Sequence, residues 1–187
     1  IEWIGGAGVK LLKKVHSFSG DISQAVRARA YICGEGLYEL RINGQKVGDY
    51  VLTPPPSEYY SRAYYVTYDV KEYLRDGENV IGILLGSSKK GKYYDNIYLA
   101  RMLLEVTYAD GKTEQIVTDG ESGWAQSYES PITRDTYFYG EDQDTTFYEG
   151  WDTDPVIDLN GSLWQSGTFD GTRAIDTEKG VLTIHSN

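Results

Sequence analysis

The sequence is poor in the residues that build disulfide scaffolds and metal centres. A single cysteine, Cys33, excludes an intramolecular disulfide framework. The two histidines, His16 and His185, lie far apart in sequence and form no metal-ligand motif. No apolar run approaches ~18 residues, so the sequence predicts no membrane-spanning helix, and no signal-peptide pattern is visible at its start.

Positive charge is also scarce. The chain has 18 lysines and arginines against 28 aspartates and glutamates, which gives a net charge of −10. Such a surface repels the phosphates of nucleic acids, so we expect no nucleic-acid partner. Cys33 lies beside Ile32 in an apolar stretch, which favours a small buried side chain over a reactive thiol.

Tyrosine, in contrast, is abundant. The chain has 17 tyrosines and only 4 phenylalanines. A tyrosine ring combines a flat apolar face with a polar tip, which suits half-exposed surfaces that bind sugars. Tyrosine is also a good strand former, so the same bias is typical of ordinary β-sandwiches, and we favour this structural interpretation.

Alternating apolar and polar residues predict short strands along most of the chain. The pattern is clearest over Arg27–Cys33 and Leu37–Ile42. Asn43-Gly44 follows, and both residues tolerate the positive φ that a two-residue hairpin turn requires. We expect the return strand over Val47–Leu52 and a second hairpin around Asp110-Gly111.

The remaining segments fit an all-β fold. Pro54-Pro55-Pro56 lacks three backbone donors and predicts a stiff loop, whereas the apolar run Asn79–Gly86 predicts a strand buried on both faces. No amphipathic helix of useful length is visible. We therefore predict an antiparallel β-sandwich with jelly-roll, galactose-binding-like connectivity over residues 1–154. Residues 155–187 predict a β-rich tail, which either opens a truncated second module or adds strands to the first.

A series of motifs gives the chain a family resemblance. They follow one another as Ala30-Tyr31-Ile32, Gly34-Glu35-Gly36-Leu37-Tyr38-Glu39, Asn43-Gly44, Val47-Gly48-Asp49, Thr67-Tyr68-Asp69-Val70, Asn79, Gly82 and Gly86. The match continues more thinly to Gly140-Glu141 and covers roughly residues 10–150. In these residues the chain resembles the N-terminal β-sandwich module of bacterial α-L-rhamnosidases, glycoside hydrolase family 78.

The resemblance implies a non-catalytic accessory module of a glycoside hydrolase, because the family's catalytic acids are understood to lie in a separate (α/α)6 barrel. Such a module would assist rhamnoside recognition or support that barrel. Its implied partners are a rhamnose-containing glycan and the catalytic domain of the same parent enzyme. Two alternatives stay open: a free-standing carbohydrate-binding module for another sugar, and a β-sandwich protein-interaction domain without a sugar ligand.

Candidate binding residues come from loops at the sandwich edge. Some modules of this kind bind rhamnose through a calcium ion, which takes six to eight oxygen ligands. Asp95 and Asn96 are the candidate ligands for calcium. The candidate carbohydrate contacts are Tyr59, Tyr60, Tyr93, Tyr94, Asn96 and Glu141. The chain departs from the family at Pro54-Pro55-Pro56, where Pro-Gly-Trp is usual, and at Ser87-Ser88-Lys89-Lys90, and each change removes an aromatic residue.

Other residues of the motifs have structural interpretations. Glu39, Asn43, Arg62, Tyr68 and Asp69 are expected to satisfy turns and strand ends, and Trp124 and Trp151 to lie near the joint with a neighbouring domain.

One acidic cluster, Glu141, Asp142 and Asp144, lies beside aromatic residues. A glycosidase needs two carboxylates ~5–5.5 Å apart for retention or ~6.5–9.5 Å apart for inversion, so this cluster is the candidate for catalysis. A solvated acidic loop is the alternative, and we favour it because the whole chain is acidic. We therefore assign no catalytic residue.

Overall fold

The computed structural model describes residues 1–57, 62–86, 97–136, 139–161 and 163–166. Within these ranges the chain forms thirteen strands and three short 3-10 helices, at Ile22–Gln24, Lys71–Tyr73 and Glu149–Asp152. The strands are β1 (Ile4–Ala7), β2 (Leu11–Ser17), β3 (Ala25–Glu35), β4 (Tyr38–Ile42), β5 (Gln45–Lys46), β6 (Val66–Asp69), β7 (Glu78–Leu85), β8 (Ile97–Tyr108), β9 (Thr113–Val117), β10 (Ala125–Ser127), β11 (Ile132–Thr136), β12 (Gly140–Gln143) and β13 (Gln165–Ser166). No helix among the described residues is long or apolar enough to cross a membrane.

The strands form two antiparallel sheets and a separate hairpin. The first sheet has the order β1-β8-β3-β6. β9 pairs with the same edge of β8 as β1, but β1 pairs with the first residues of β8 and β9 with its later ones. The second sheet has the order β13-β10-β2-β7-β4-β5, and β11 pairs only with β12. The chain changes sheet at most of its connections, as in a jelly roll. The predicted all-β antiparallel sandwich is confirmed.

The main core lies between the two sheets. Along β4 the inward residues Tyr38, Leu40 and Ile42 are buried, while Glu39 and Arg41 are partly exposed on the outer face. On β7, Ile83 faces the core, and its neighbour Leu84 packs on the opposite side. The strand is therefore covered on both faces, as its unbroken apolar sequence predicts.

Cys33 is the predicted buried thiol. It is 1% exposed and packs with Trp3 and Leu99 in a small cluster on the outer face of the first sheet. Burial raises the pKa of the thiol to about 12, which keeps it protonated and unreactive at neutral pH.

A segment that we call the strap, residues 147–161 and 163–166, covers part of the outer face of the second sheet. Its apolar side chains pack on Leu11, Leu84 and Ala125 of the sheet. These side chains are Phe147, Trp151, Ile157, Leu163 and Trp164. Trp151 lies directly on Gly82, where an added Cβ would stand 2.7 Å from the ring atom Cζ3. A residue larger than glycine at position 82 would therefore displace the strap.

The strap also covers a charge and extends the sheet. Lys13 of β2 is fully buried, donates from Nζ to the Val156 carbonyl at 3.2 Å and lies 5.0 Å from the Trp164 ring centroid. At the end of the strap, β13 pairs with β10 and adds an edge strand to the second sheet. The described part of the predicted tail thus lies on the sandwich. The domain division at residue 154, and a second module beyond it, stay predictions.

Both predicted hairpins are present. Asn43 and Gly44 have φ angles of 53° and 81°, which matches the turn chemistry of the sequence. The prediction of a return strand over Val47–Leu52 is wrong, because β5 ends at Lys46. Gly48 then turns the chain away with a φ of 72°, close to the ring of Tyr68. The second hairpin turns over the four residues 109–112, between the end of β8 at Tyr108 and the start of β9 at Thr113.

Two asparagines join the β4–β5 turn to the chain before β7. Asn79 is fully buried, and its Oδ1 accepts from the Arg75 amide at 3.0 Å and from Asn43 Nδ2 at 3.0 Å. Its Nδ2 donates to the carbonyls of Arg75 and Gly77. Asn43 in turn accepts from the Val80 amide and donates to the Tyr73 carbonyl. The two side chains thus provide hydrogen-bond partners for backbone amides and carbonyls that are not paired within the sheets.

We expect Asn79→Ala to lower the free energy of unfolding by about 2–4 kcal/mol, because it leaves several buried polar groups without partners. Urea denaturation measures the change. The matched control is Asn160→Ala at an exposed position, which should change stability by less than about 0.5 kcal/mol. Equal effects of the two substitutions would contradict the role assigned to the pair.

A second, partly buried hydrogen-bond site holds the loop after β2. Burial disfavours the charged form of Glu114, but donation from the Ser19 amide, the Tyr108 hydroxyl and the Gly20 amide outweighs it and lowers the pKa of Glu114 to about 2. The ordinary pKa is 4.5. Because the folded pKa is lower than the unfolded one, the contribution to stability is complete above about pH 4.5 and is lost as the pH falls toward about 2.

We expect Glu114→Gln to destabilise the chain at pH 7 by on the order of 1–3 kcal/mol, and the difference from the wild type to vanish near pH 2. Urea titrations at several pH values between 7 and 2 measure both quantities. Glu129→Gln, at an exposed glutamate, is the control and should show no such pH-dependent difference. A difference that persists unchanged at pH 2 would argue against the ionised Glu114 as its source.

Candidate binding cleft

A cleft opens on the outer face of the second sheet, beside the strap. Its volume is about 590 Å³, within the range of ~300–1,000 Å³ typical of small-molecule sites. The residues that line it come from β4, β5, the end of β7, the segment Tyr50–Thr53, the hairpin β11–β12 and the strap. They include Glu39, Arg41, Lys46, Tyr50, Val51, Leu52, Leu84, Pro131, Ile132, Asp135, Glu141, Gln143 and Trp151.

A row of four alternating charges lies along one side of the cleft. Asp152 of the strap accepts from Arg41 Nε, and Arg41 Nη1 donates to Glu39 Oε1 at 2.8 Å. The second oxygen of Glu39 is 3.1 Å from Lys46 Nζ. We call Glu39, Arg41 and Lys46, the three members that line the cleft, the polar cluster. Together with Asp152 their formal charges cancel.

The polar cluster is held rigidly by its geometry. Glu39 and Arg41 are two residues apart on β4 and therefore lie on the same face of the sheet. Burial disfavours the charged form of Arg41, but hydrogen bonds to Asp152 and Glu39 outweigh it and raise the pKa of the guanidinium above its ordinary value. A third bond runs from Arg41 Nη2 to the Gly44 carbonyl at 2.9 Å, so the β4–β5 turn fixes the guanidinium as well.

A lysine anchors the hairpin β11–β12 to the sandwich. Lys10 Nζ donates to Asp135 Oδ1 at 3.1 Å and to the Tyr98 hydroxyl at 3.0 Å, and it lies 4.1 Å from the Tyr98 ring centroid. Burial lowers the pKa of Lys10, but these bonds outweigh it, so the pKa lies above its ordinary value. The hairpin is thereby held beside the cleft.

An apolar strip borders the cleft at Tyr50, Val51 and Leu52. These consecutive side chains are 59%, 77% and 61% exposed. Leu52 also has a φ of 55°, which is rare for a bulky residue and costs on the order of 1–3 kcal/mol. The strip thus combines exposed apolar surface with backbone strain at the border of a pocket, which is typical of functional sites.

Most of the sequence-predicted site residues lie outside the described residues, namely Tyr59, Tyr60, Tyr93, Tyr94, Asp95 and Asn96. Glu141 is described. It lies on β12, is exposed, lines the cleft and accepts a hydrogen bond from Gln143 Nε2. The assignment of all these residues to sugar or calcium stays a prediction.

The acidic cluster of the sequence lies on an exposed hairpin. Hydrogen bonds from Arg134 hold the pKa of Asp142 below its ordinary value. The hydroxyl and the amide of Thr146 do the same for the pKa of Asp144. Both carboxylates are therefore stabilised in the ionised form, whereas a general acid must carry a proton.

The described residues contain no group of three or more His, Cys, Asp or Glu side chains that could hold a metal ion. Asp69, the last residue of β6, accepts a hydrogen bond at its Oδ1 from the Lys71 amide at 3.2 Å and so stabilises the turn at the end of the strand. Its expected structural role is confirmed.

Sequence reasoning missed the polar cluster. It gave Glu39 a role at turns and strand ends, yet the structure places Glu39 in the cleft. The alternation of apolar and polar residues over Tyr38–Ile42 does place Glu39 and Arg41 together on the face away from the core, and this pattern could have indicated the cluster. The two tryptophans expected near a domain joint are buried within the described chain, Trp124 at 3% and Trp151 at 6% exposure, and their place relative to a neighbouring domain stays a prediction.

The comparisons with known proteins agree on one family. Residues 23–179 match the family model described as the alpha-L-rhamnosidase N-terminal domain. An alpha-L-rhamnosidase of Formosa agariphila is 39% identical over 139 residues, which are 66% of this chain and 14% of that protein. One of Streptomyces avermitilis is 34% identical over 152 residues, 76% of this chain and 14% of that protein.

A solved structure gives the same answer. The alpha-L-rhamnosidase from Dictyoglumus thermophilum superposes with a TM-score of 0.76 at 32% identity, and the match covers 89% of this chain and 20% of that one. The chain thus spans only 14% of the length of the two curated relatives named above. It belongs to the family of alpha-L-rhamnosidase N-terminal domains.

Proposed function

We propose that the chain is a non-catalytic accessory module of an α-L-rhamnosidase-like glycoside hydrolase, where it assists rhamnoside recognition or supports the catalytic domain. The observation that carries this proposal is the state of the carboxylates in and beside the cleft. Glu39 is paired with Arg41 and Lys46, Asp135 with Lys10, and Asp142 with Arg134.

Cationic partners favour the ionised form of a carboxylate. A glycosidase requires one carboxyl group that is protonated before the bond breaks and a second that acts as nucleophile or base. Among the described residues, the paired carboxylates of the cleft are suited to accept hydrogen bonds from hydroxyl groups rather than to donate a proton. This supports a binding or supporting role over catalysis.

Family membership supports the rest of the proposal. The matched relatives are named as alpha-L-rhamnosidases, and most of their length lies outside the part that this chain covers. The reaction of the parent enzyme is therefore assigned to that remaining part. The partners that follow are a rhamnose-containing glycan and the catalytic domain of the same protein.

We expect the purified chain to release no aryl alcohol from an aryl α-L-rhamnoside, because the carboxylates paired with cations among its described residues provide no general acid opposite a nucleophile. Absorbance of the released alcohol measures the rate, and an intact α-L-rhamnosidase serves as the positive control. Hydrolysis that scales with the concentration of the chain and is abolished by Glu141→Gln would overturn the non-catalytic assignment.

Calorimetry separates the proposal from its alternatives. Binding of L-rhamnose, compared with and without calcium, would support a role in rhamnoside recognition. Binding of galactose or xylan fragments but not of rhamnose would favour a module for another sugar. If no sugar binds, the supporting role or a protein-interaction domain is left.

A further inference from the structure

We propose that Asn160 is a site of spontaneous covalent modification, at which the backbone amide of Gly161 attacks the asparagine side chain and converts it to aspartate or isoaspartate. The modification is independent of the proposed function, because it lies on the strap and needs only water as a reactant. The chain has two Asn-Gly pairs, Asn43-Gly44 and Asn160-Gly161. They share the same chemistry, but the structure places them in opposite surroundings.

The reaction exchanges one amide bond for another. The backbone nitrogen of Gly161 forms a bond to Asn160 Cγ, the bond from Cγ to the side-chain nitrogen breaks, and ammonia leaves with the proton of the backbone amide. Water then opens the five-membered succinimide ring. Opening at the side-chain carbonyl gives aspartate, whereas opening at the main-chain carbonyl gives isoaspartate, whose backbone is longer by one methylene group. Glycine favours the attack, because it has no Cβ in the path of its nitrogen.

The first pair is locked by hydrogen bonds. Asn43 Nδ2 donates to the Tyr73 carbonyl at 2.8 Å and to Asn79 Oδ1 at 3.0 Å. Asn43 Oδ1 accepts from the Val80 amide at 2.9 Å. Asn79 is itself fully buried, so the Asn43 side chain cannot turn toward the following nitrogen without disrupting the start of β7. Reaction at this pair therefore requires global unfolding.

The second pair is open. Asn160 and Gly161 are exposed, in a turn that Asp158 holds through bonds from the Asn160 amide to its Oδ1 at 2.9 Å and from the Gly161 amide to its carbonyl at 3.1 Å. The side chain of Asn160 makes no hydrogen bond to the part of the chain that the structure describes. Only the bond from Gly161 has to open before the attack, and exposed turns open by local fluctuations at low cost in free energy.

The modification changes the strap where it turns back onto the sheet. Ile157 and Leu163 lie on either side of the turn, and both pack on the cluster that contains Leu11 and Trp164. Isoaspartate lengthens the backbone between these two contacts. It also adds a carboxylate two residues from Asp158, in a chain whose net charge is already −10, and like charges repel. Isoaspartate at position 160 therefore loosens the strap.

Peptide mapping by mass spectrometry after incubation at neutral pH measures the conversion at each pair. Trypsin releases the two asparagines in separate peptides, residues 42–46 and 135–173. In the folded chain Asn160 should be converted, while Asn43 should react at least about a thousandfold more slowly, because it waits for the small unfolded population. In concentrated urea, where both pairs are free, their rates should become comparable.

A glycine substitution tests the attacking nitrogen. Gly161→Ala should slow the conversion of Asn160 at least about tenfold, because the added Cβ hinders the approach of the nitrogen. Gly120→Ala is the matched control. This glycine is also exposed, and the nearest atom to an added Cβ is 3.9 Å away. The control should leave the rate at Asn160 unchanged, and circular dichroism verifies that both variants are folded.

A second variant tests the lock on the first pair. Asn79→Ala removes one partner of Asn43 and raises the unfolded population, so it should accelerate the conversion of Asn43 at least about tenfold. The rate at Asn160 should not change, because its turn opens locally.

Urea denaturation tests the effect on the strap. The chain that carries isoaspartate, separated by anion exchange, should unfold at a lower urea concentration than the unmodified chain. Asn160→Asp carries the new charge without the extra methylene group, so it should show a smaller shift.

Conversion of Asn160 in urea but not in the folded chain would refute the site. Equal rates at Asn43 and Asn160 in the folded chain would contradict the protection that we assign to the hydrogen bonds of Asn43. An unchanged rate in Gly161→Ala would exclude the backbone amide as the nucleophile. A modified chain as stable as the fresh one would refute the loosening of the strap.

Discussion

The central constraint on this structure is that part of its second sheet, over β2, β7 and β10, is apolar on both faces. The inner face packs against the first sheet, so the outer face needs a cover of its own. The strap provides that cover over β2, β7 and β10, where Trp151 and Trp164 pack on Leu11 and Ala125. It does not extend over β4 and β5, whose outer residues are charged. The cleft lies over β4 and β5, next to the edge of the strap.

The same arrangement explains how charges are tolerated near the core. Lys13 is buried under the strap but reaches the Val156 carbonyl and the face of Trp164. Asp152 is 4% exposed and is matched by Arg41. Each of these two buried charges therefore has a partner supplied by the opposite layer, as burial requires. Strap and sheet consequently depend on each other for polar contacts as well as apolar ones.

Much of the fold could be predicted because its signals are local. Asn43-Gly44 specifies its turn through two residues that accept positive φ, and alternation along Tyr38–Ile42 assigns each side chain to a face. The strand expected over Val47–Leu52 failed because its apolar residues do not alternate into a core. Val47 alone is buried there, while Val51 and Leu52 stay exposed beside the cleft.

The cleft could not be predicted in the same way, because its parts are far apart in sequence. Glu39 and Asp152 meet at Arg41 only after the strap has folded across the sheet, and no spacing rule records that approach. The sequence indicates Glu141 only through its aromatic and acidic neighbours, whereas its position in the cleft depends on the Lys10–Asp135 contact. Long-range pairing of this kind is set by tertiary packing.

Gly82 shows how closely sheet and cleft are coupled. An added Cβ there would meet the Trp151 ring at 2.7 Å and come within 3.4 Å of the Asp152 Cβ. A single methyl group on a central strand would thus push on the carboxylate that positions Arg41. A side chain at this position would therefore disturb the lining of the cleft as well as the packing of the sandwich.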